Sequence, residues 1–212
     1  MARVIVFGGT GYTGRNVVQE AAARGHQVIS VSRSRPEVSV DGVRYEVGGA
    51  EDVAKQVIPG ADAVVASLSP RGDMAGRLVD VYTELARLSA EAGARYFQVG
   101  GFSSLRPAPD APRFAEGDIE EQYRQEASEG EATRALLADQ APEDLDWVFL
   151  SPAAGYGAWA PGERTGQYRL GGDVAVFDDQ GASQISGPDF AVAIVDEIEK
   201  AEHHREHIGV AY

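Results

Sequence analysis

Val4-Ile5-Val6-Phe7 runs directly into Gly8-Gly9-Thr10-Gly11-Tyr12-Thr13-Gly14, and this junction constrains the fold more than any other part of the chain. A short apolar run bounded by glycines reads as a buried strand. The residues after it carry Val17, Val18, Ala21 and Ala22 on one face of a helix over 12–24. A strand that turns into a helix through Gly-x-x-Gly-x-x-Gly has a specific physical use. Gly8 makes the tight turn, Gly11 lets the backbone approach a pyrophosphate, and Gly14 lets the helix pack hard on the strand. The amides of Gly11, Tyr12 and Thr13, with the hydroxyls of Thr10 and Thr13, are expected to face phosphates at the positive helix end. Glycines alone are weak evidence. The strand before them and the amphipathic helix after them make a dinucleotide-binding fingerprint.

The same alternation continues. Apolar runs at Gln27 to Val31, Arg44 to Val47, Ala63 to Ser67, Tyr96 to Val99 and Trp147 to Leu150 are separated by helical patterns at 50–57, 73–92 and 115–140. The runs lack polar alternation, as expected of strands covered on both faces. The pattern predicts an α/β fold of Rossmann type, a doubly wound parallel sheet. Residues 151–187 change texture, rich in Gly, Pro and aromatics, with strand-like runs at Gly166 to Leu170 and Val174 to Phe177. They read as a small C-terminal substrate lobe over the cofactor, within a single domain spanning 1–212. Ser186-Gly187-Pro188-Asp189 opens a last helix as a capping box, and Ile208 to Tyr212 reads as a final strand.

Composition excludes several functions. A formal net charge of -14 repels polyphosphate, which argues against a nucleic-acid partner or an anionic membrane surface and leaves a small-molecule substrate. With no Cys there is no disulfide, thiolate nucleophile or Cys-type zinc site. The three histidines His203, His204 and His207 lie among Glu202, Arg205 and Glu206. They read as a solvated helix end, so no metal site is expected. The N-terminus enters a strand at once and no apolar run approaches the roughly 20 residues of a membrane span. The chain therefore reads as cytoplasmic.

The second strand selects the cofactor. A site for NAD(H) usually places an acidic residue about 20 residues past the glycines. Here that stretch is Val31-Ser32-Arg33-Ser34-Arg35, with no acid before Glu37. Arg33 and Arg35, with Ser34 between them, suit a 2′-phosphate, since a guanidinium fork bonds two phosphate oxygens at once. The expected cofactor is NADP(H) rather than NAD(H).

The usual catalytic pair is missing. Carbonyl reduction needs a proton donor, often a Tyr four residues before a Lys on one helix. The two lysines, Lys55 and Lys200, follow Glu51 and Asp196 at that spacing, and Tyr123 is followed by Ala127. Polar candidates remain at the strand ends: Ser67 and Ser69, Ser103 and Ser104, and Ser151, with Tyr156 and Tyr168 in the lobe. Of these, Ser103, Ser104 and Tyr156 are the candidates for catalysis. Each is read first as a turn residue or pocket wall.

With these residues in view, the chain resembles atypical short-chain dehydrogenases of the NAD(P)H-binding type. It is most similar to bacterial NADH-flavin reductases, with distant likeness to biliverdin reductase B and to NmrA-like regulators. The resemblance covers nearly the whole chain. It is carried by Gly8 to Gly14, Asp146 to Ala153, Gly162 to Gly171 and Ile185-Ser186. It implies that Pro152 and Ala153 lie against the nicotinamide, opposite Ser67, Leu68 and Ser69. Two departures are Gly48-Gly49-Ala50, where many relatives carry Gly-Asp, and a long segment from Gly155 to Ala160. The resemblance further implies hydride transfer to a flavin or another conjugated acceptor, with the flavin a substrate rather than a prosthetic group. Such a step needs only stacking and orientation of two rings. Phe102, Tyr156 and Trp159 are the expected acceptor walls. A non-catalytic redox sensor that binds the dinucleotide would also lack the Tyr-Lys pair. An epimerase is disfavoured because it uses that pair.

Overall fold

The computed structural model describes residues 1–212. Its strands and helices follow in the order β1 (Arg3–Phe7), α1 (Tyr12–Ala23), β2 (Gln27–Ser32), β3 (Arg44–Val47), α2 (Ala50–Val57), β4 (Ala63–Ala66), α3 (Leu78–Ala92), β5 (Arg95–Val99), α4 (Glu121–Gln140), β6 (Trp147–Pro152), β7 (Arg169–Leu170), α5 (Gly187–Lys200) and β8 (Glu206–Ala211). The strands form one sheet in the order β3-β2-β1-β4-β5-β6-β8-β7, parallel throughout except for the antiparallel β7. This is the doubly wound Rossmann arrangement.

The unbroken apolar strands are explained by the two cores. Along β1, Ile5 and Phe7 enter the core under α2, α3 and α4, while Val4 and Val6 enter the core under α1 and α5. Successive side chains of a strand point to opposite faces, so a strand buried on both must be apolar at every position. β1 pairs with β2 on one side and β4 on the other, and the chain winds away in opposite directions from that point. Such a reversal opens a crevice at the carboxyl ends of the two central strands. The glycine turn that follows β1 lies there.

Several local expectations are corrected. The helical pattern over 73–92 is interrupted: a 3-10 turn at Gly72–Met74 precedes α3, and Gly76 at φ +74° breaks the path between them. Likewise α4 begins at Glu121, after a separate 3-10 turn at Phe114–Glu116. Of the two strand-like runs in 166–177, only Arg169–Leu170 joins the sheet, and Val174 makes one isolated bridge to Arg106.

The capping box at α5 is half formed. Ser186 Oγ accepts from the Asp189 amide at 3.0 Å, but the Ser186 amide donates to the Tyr212 hydroxyl instead of to Asp189. The Asp189 carboxylate is fully buried and faces the 165–166 turn. It accepts from the amides of Thr165 and Gly166 and from the hydroxyls of Thr165 and Tyr212, at 2.7–3.1 Å. One carboxylate thus ties the segment before β7 and the chain's last residue to the start of α5.

Burial alone would raise the Asp189 pKa, but the bonds from Thr165, Tyr212 and Gly166 outweigh it and hold the carboxyl below its ordinary value. A depressed carboxyl pKa stabilises the fold above the unfolded pKa of about 3.9, and that contribution is lost as pH falls through the folded value. Asp189→Asn is therefore expected to lower unfolding stability at pH 7 by about 2–3 kcal/mol. The deficit should shrink below about pH 4, because the wild type loses the same charge there. Denaturant titrations at several pH values check both parts.

Candidate functional site

Three glycines shape the turn in different ways. Gly8 has φ +82°, and a Cβ there would meet Ser67 O at 2.5 Å. A Cβ on Gly14 would sit 2.7 Å from the Gly8 carbonyl carbon and 2.8 Å from Gly9 Cα. Both positions are dictated by packing. Gly11 is different: its φ is -70° and its only near neighbour would be Gly8 O at 3.1 Å. Its missing side chain leaves room on the cleft side. That is the space a backbone-hugging diphosphate needs.

The helix N-terminus faces that space without a side-chain cap. The Gly11 amide, however, donates to Gly8 O at 2.9 Å and closes the turn. The donors available to an anion are the first-turn amides of Tyr12, Thr13 and Gly14, which have no acceptor within the helix. Thr13 also differs from expectation, since its hydroxyl lies 2.7 Å from the Tyr156 hydroxyl. The Tyr12 hydroxyl accepts from the Gly187 amide and donates to Pro161 O. Thr10 is half-buried in the turn and is not part of the cleft wall.

The opposite lip is the exit of β4. Ser67 Oγ donates to Phe7 O at 2.8 Å and stitches β4 to β1. The Leu68 amide donates to the hydroxyl of buried Tyr82 on α3, which returns a bond to Leu68 O at 3.0 Å. Sequence reading missed Tyr82, because a Tyr inside an apolar helical stripe carries no signal of the loop it holds.

From this lip a cleft of about 870 Å³ extends past Val99 to Gly101 toward α4. Gly11, Tyr12, Thr13, Ser67, Leu68 and Ser69 line one end. Phe102, Ser103, Phe114 and Tyr123 line the part toward α4, while Tyr156, bonded to Thr13, and Trp159 also border the cleft. Phe102 and Phe114 stack with centroids 4.7 Å apart, while Trp159 is 75% exposed at the mouth. The contribution of the 114–127 region came from residues with no motif, which only the folded chain brings near the glycine turn.

Other candidates lie off the cleft. Pro152 ends β6 and Ala153 is buried in the core under α5, so the wall at this strand end is Ala154. Ser104 is fully buried behind Ser103, with an unpartnered hydroxyl. Tyr168 donates to Asp196 on α5. Arg33, Ser34 and Arg35 are exposed beyond β2, where Arg33 pairs with Asp73 at 3.2 Å and Ser34 O accepts from Ser32.

His207 overturns the reading of the three histidines as a solvated helix end. It belongs to β8, stands edge-on to Phe149, and lies 2.9 Å from Ser151 Oγ through Nε2. Arg113 contacts Nδ1 at 3.3 Å. A guanidinium only donates, so Nδ1 accepts and the proton sits on Nε2, which donates to Ser151. Burial first, and the charge of Arg113 second, hold the His207 pKa down at about 3. This is the reverse of a base that activates a serine. His203 bonds Glu197, and no group of three or more His, Asp or Glu side chains could hold a metal ion.

The fold and this crevice define a Rossmann-type nucleotide-binding protein. The NAD(P)H-binding family model matches residues 8–201, and the chain belongs to that family. It is 30% identical to the uncharacterized protein YwnB of Bacillus subtilis, over 98% of this chain and 97% of that protein. A candidate NADH-flavin reductase from Streptococcus pneumoniae is 27% identical, with a TM-score of 0.85 over 100% of this chain and 99% of that one. A candidate epimerase from Bacteroides thetaiotaomicron is 31% identical, with a TM-score of 0.87 over 100% and 97%. The family establishes a nicotinamide dinucleotide as the cofactor class, and the uncapped helix end and the space at Gly11 fit one. No helix is long and apolar enough to cross a membrane.

The three glycines are separable by experiment. Gly11→Ala should fold with a small loss in Tm yet bind the dinucleotide at least about tenfold more weakly, because beyond the Gly8 carbonyl its Cβ meets only cleft space. Gly14→Ala should lower Tm markedly, as its Cβ has nowhere to go. Calorimetry with thermal melts checks both. Unchanged affinity in folded Gly11→Ala would remove the phosphate site from this turn.

Proposed function

We propose that this protein is an NAD(P)H-dependent oxidoreductase, with NADPH preferred, that passes hydride to a flavin or similar conjugated small molecule. The observation that carries the reading is the single cleft that joins the glycine turn to aromatic walls. Tyr12, Thr13 and Gly14 amides would hold the diphosphate, and Ser67, Leu68 and Ala154 would bound the space for the nicotinamide. When bound, the cofactor supplies a hydride, and a flavin acceptor takes it with one solvent proton to give oxidised dinucleotide and two-electron-reduced flavin.

The protein's own task is orientation and exclusion of water. Tyr156 is poorly suited as an acid: burial pushes its phenol above the usual tyrosine range, opposed only by the bond with Thr13. Its ring is fixed between Tyr12 and Phe190, at 5.3 and 5.0 Å, so it serves as a wall. Ser103 is the one hydroxyl among the three catalytic candidates with unobstructed access to the cleft. The likeness to the streptococcal flavin-reductase candidate supports the acceptor class. The protein acts in the cytoplasm on a small molecule, with no nucleic-acid or membrane partner.

Arg33 carries the cofactor preference in this reading. To meet a 2′-phosphate it must leave Asp73, and an exposed pair of this kind resists by only about 0–1 kcal/mol. NADPH should bind more tightly than NADH, and Arg33→Ala should cost about tenfold or more for NADPH alone. Equal affinities in the wild type would sink the preference.

A mechanism built on orientation predicts that no hydroxyl is indispensable. Tyr156→Phe and Ser103→Ala should each slow single-turnover NADPH oxidation by about tenfold or less, whereas loss of a true general acid costs about 10²–10⁴-fold. A thousandfold loss at either position would point to a carbonyl or imine substrate. Tight NADPH binding with no turnover on riboflavin, FMN or a quinone would instead favour a dinucleotide sensor.

A further inference from the structure

The cleft changes character along its length. Near the glycine turn it offers amides and hydroxyls, and toward α4 Phe102, Phe114 and Tyr123 add aromatic walls. Only three of its lining side chains carry a charge: Arg71, Asp118 and Glu126. Arg71 is already consumed. Its Nε and Nη2 donate to both oxygens of Glu126 in a bidentate clasp at 2.8–3.1 Å. The nearby Arg124 pairs with Glu121 at 2.7 Å. Asp118 is exposed at the rim and has no cation beside it. The acceptor end of the cleft thus presents a flat aromatic surface and an unbalanced negative charge, within a chain of net charge -14.

We infer that this end of the cleft selects an uncharged aromatic acceptor and disfavours anionic ones, so that an isoalloxazine without a phosphate is reduced better than the same ring carrying one. The inference rests on the flavin-type reading above and adds the charge of the substrate to it. A phosphate entering here would meet Asp118 with no free cation to receive it, and the Arg71–Glu126 clasp would have to open to provide one. The ring itself has what it needs in Phe102, Phe114, Tyr123 and Trp159, since stacking is indifferent to the tail. Exposed charges act through solvent, so the discrimination must weaken as salt screens them.

Riboflavin and FMN share the same ring and differ by the phosphate, which makes them the probes. At low ionic strength and saturating NADPH, kcat/KM for riboflavin should exceed that for FMN by about tenfold or more, equivalent to about 1.4 kcal/mol or more. The ratio should fall on adding salt. Glu126→Gln, which releases Arg71, and Asp118→Asn, which removes the unbalanced charge, should each narrow it. Arg71→Met should leave it as large or larger. Equal or better use of FMN overturns the inference, as does a ratio that ignores both salt and the two carboxylate substitutions. Flavin binding to the NADP⁺-loaded protein, followed by flavin fluorescence, separates this from failure of the reductase reading. If neither flavin is turned over, a salt-sensitive riboflavin preference in binding still supports charge selection. Equal binding, or no binding of either, overturns it.

Discussion

The structure depends on how closely α1 approaches the end of β1. With Gly14 against Gly8 and Gly9, the first turn of the helix sits almost on the strand, and its uncapped amides open onto the crevice between β1 and β4. No side chain fits between the two backbones, so the positive helix end is delivered where the sheet order reverses. The β4 exit is held to the same frame by Ser67 bonding Phe7 O, and by Tyr82 gripping both backbone groups of Leu68. The turn makes the binding end, and these bonds hold the facing lip still.

The remainder of the cleft is built with few polar resources. Tyr156 is tied to Thr13 and held between two rings, Ser104 is sealed behind Ser103, and Ser151 receives its bond from a neutral His207. None is arranged to move a proton onto a carbonyl oxygen. Arg113, largely buried, instead braces the back of the site: it bonds Ser104 O, Asp173 and His207, just before the Phe114 that stacks on Phe102. Polar groups behind the cleft are spent on fixing aromatic walls. This division of labour suits the proposed reaction, whose chemistry would belong to the cofactor and its acceptor.

Much of the fold was legible because it rests on local pattern. Runs such as Val4 to Phe7 and Ala63 to Ser67 announce strands covered on both faces, and the limits of β3 and α2 agree with the periodicity. Errors arose where a local signal had a nonlocal competitor. Ser186 and Asp189 have the spacing of a capping box, yet Asp189 is drawn to Thr165, Gly166 and Tyr212 and a terminal tyrosine takes its place. His207 looked solvated beside charged neighbours, but strand pairing with β6 carries it inward beside Phe149. The 73–92 pattern read as one helix because apolar spacing does not report the left-handed backbone at Gly76.

The sequence by itself determined the α/β class, the position of the dinucleotide turn and the absence of a Tyr-Lys pair, since each is written within a few adjacent residues. It also assigned the turn to Gly8, the close helix packing to Gly14 and the open approach to Gly11, and the contacts a Cβ would meet at each position agree with that division. Only the tertiary structure decided that the Gly11 amide is spent inside the turn, that Ala154 rather than Pro152 and Ala153 faces the cleft, and that Arg71 is neutralised by Glu126. The reason is physical. A strand or a helix turn is set by neighbours one to four residues away, whereas a cleft wall is set by which remote side chains meet when both faces of the sheet are covered.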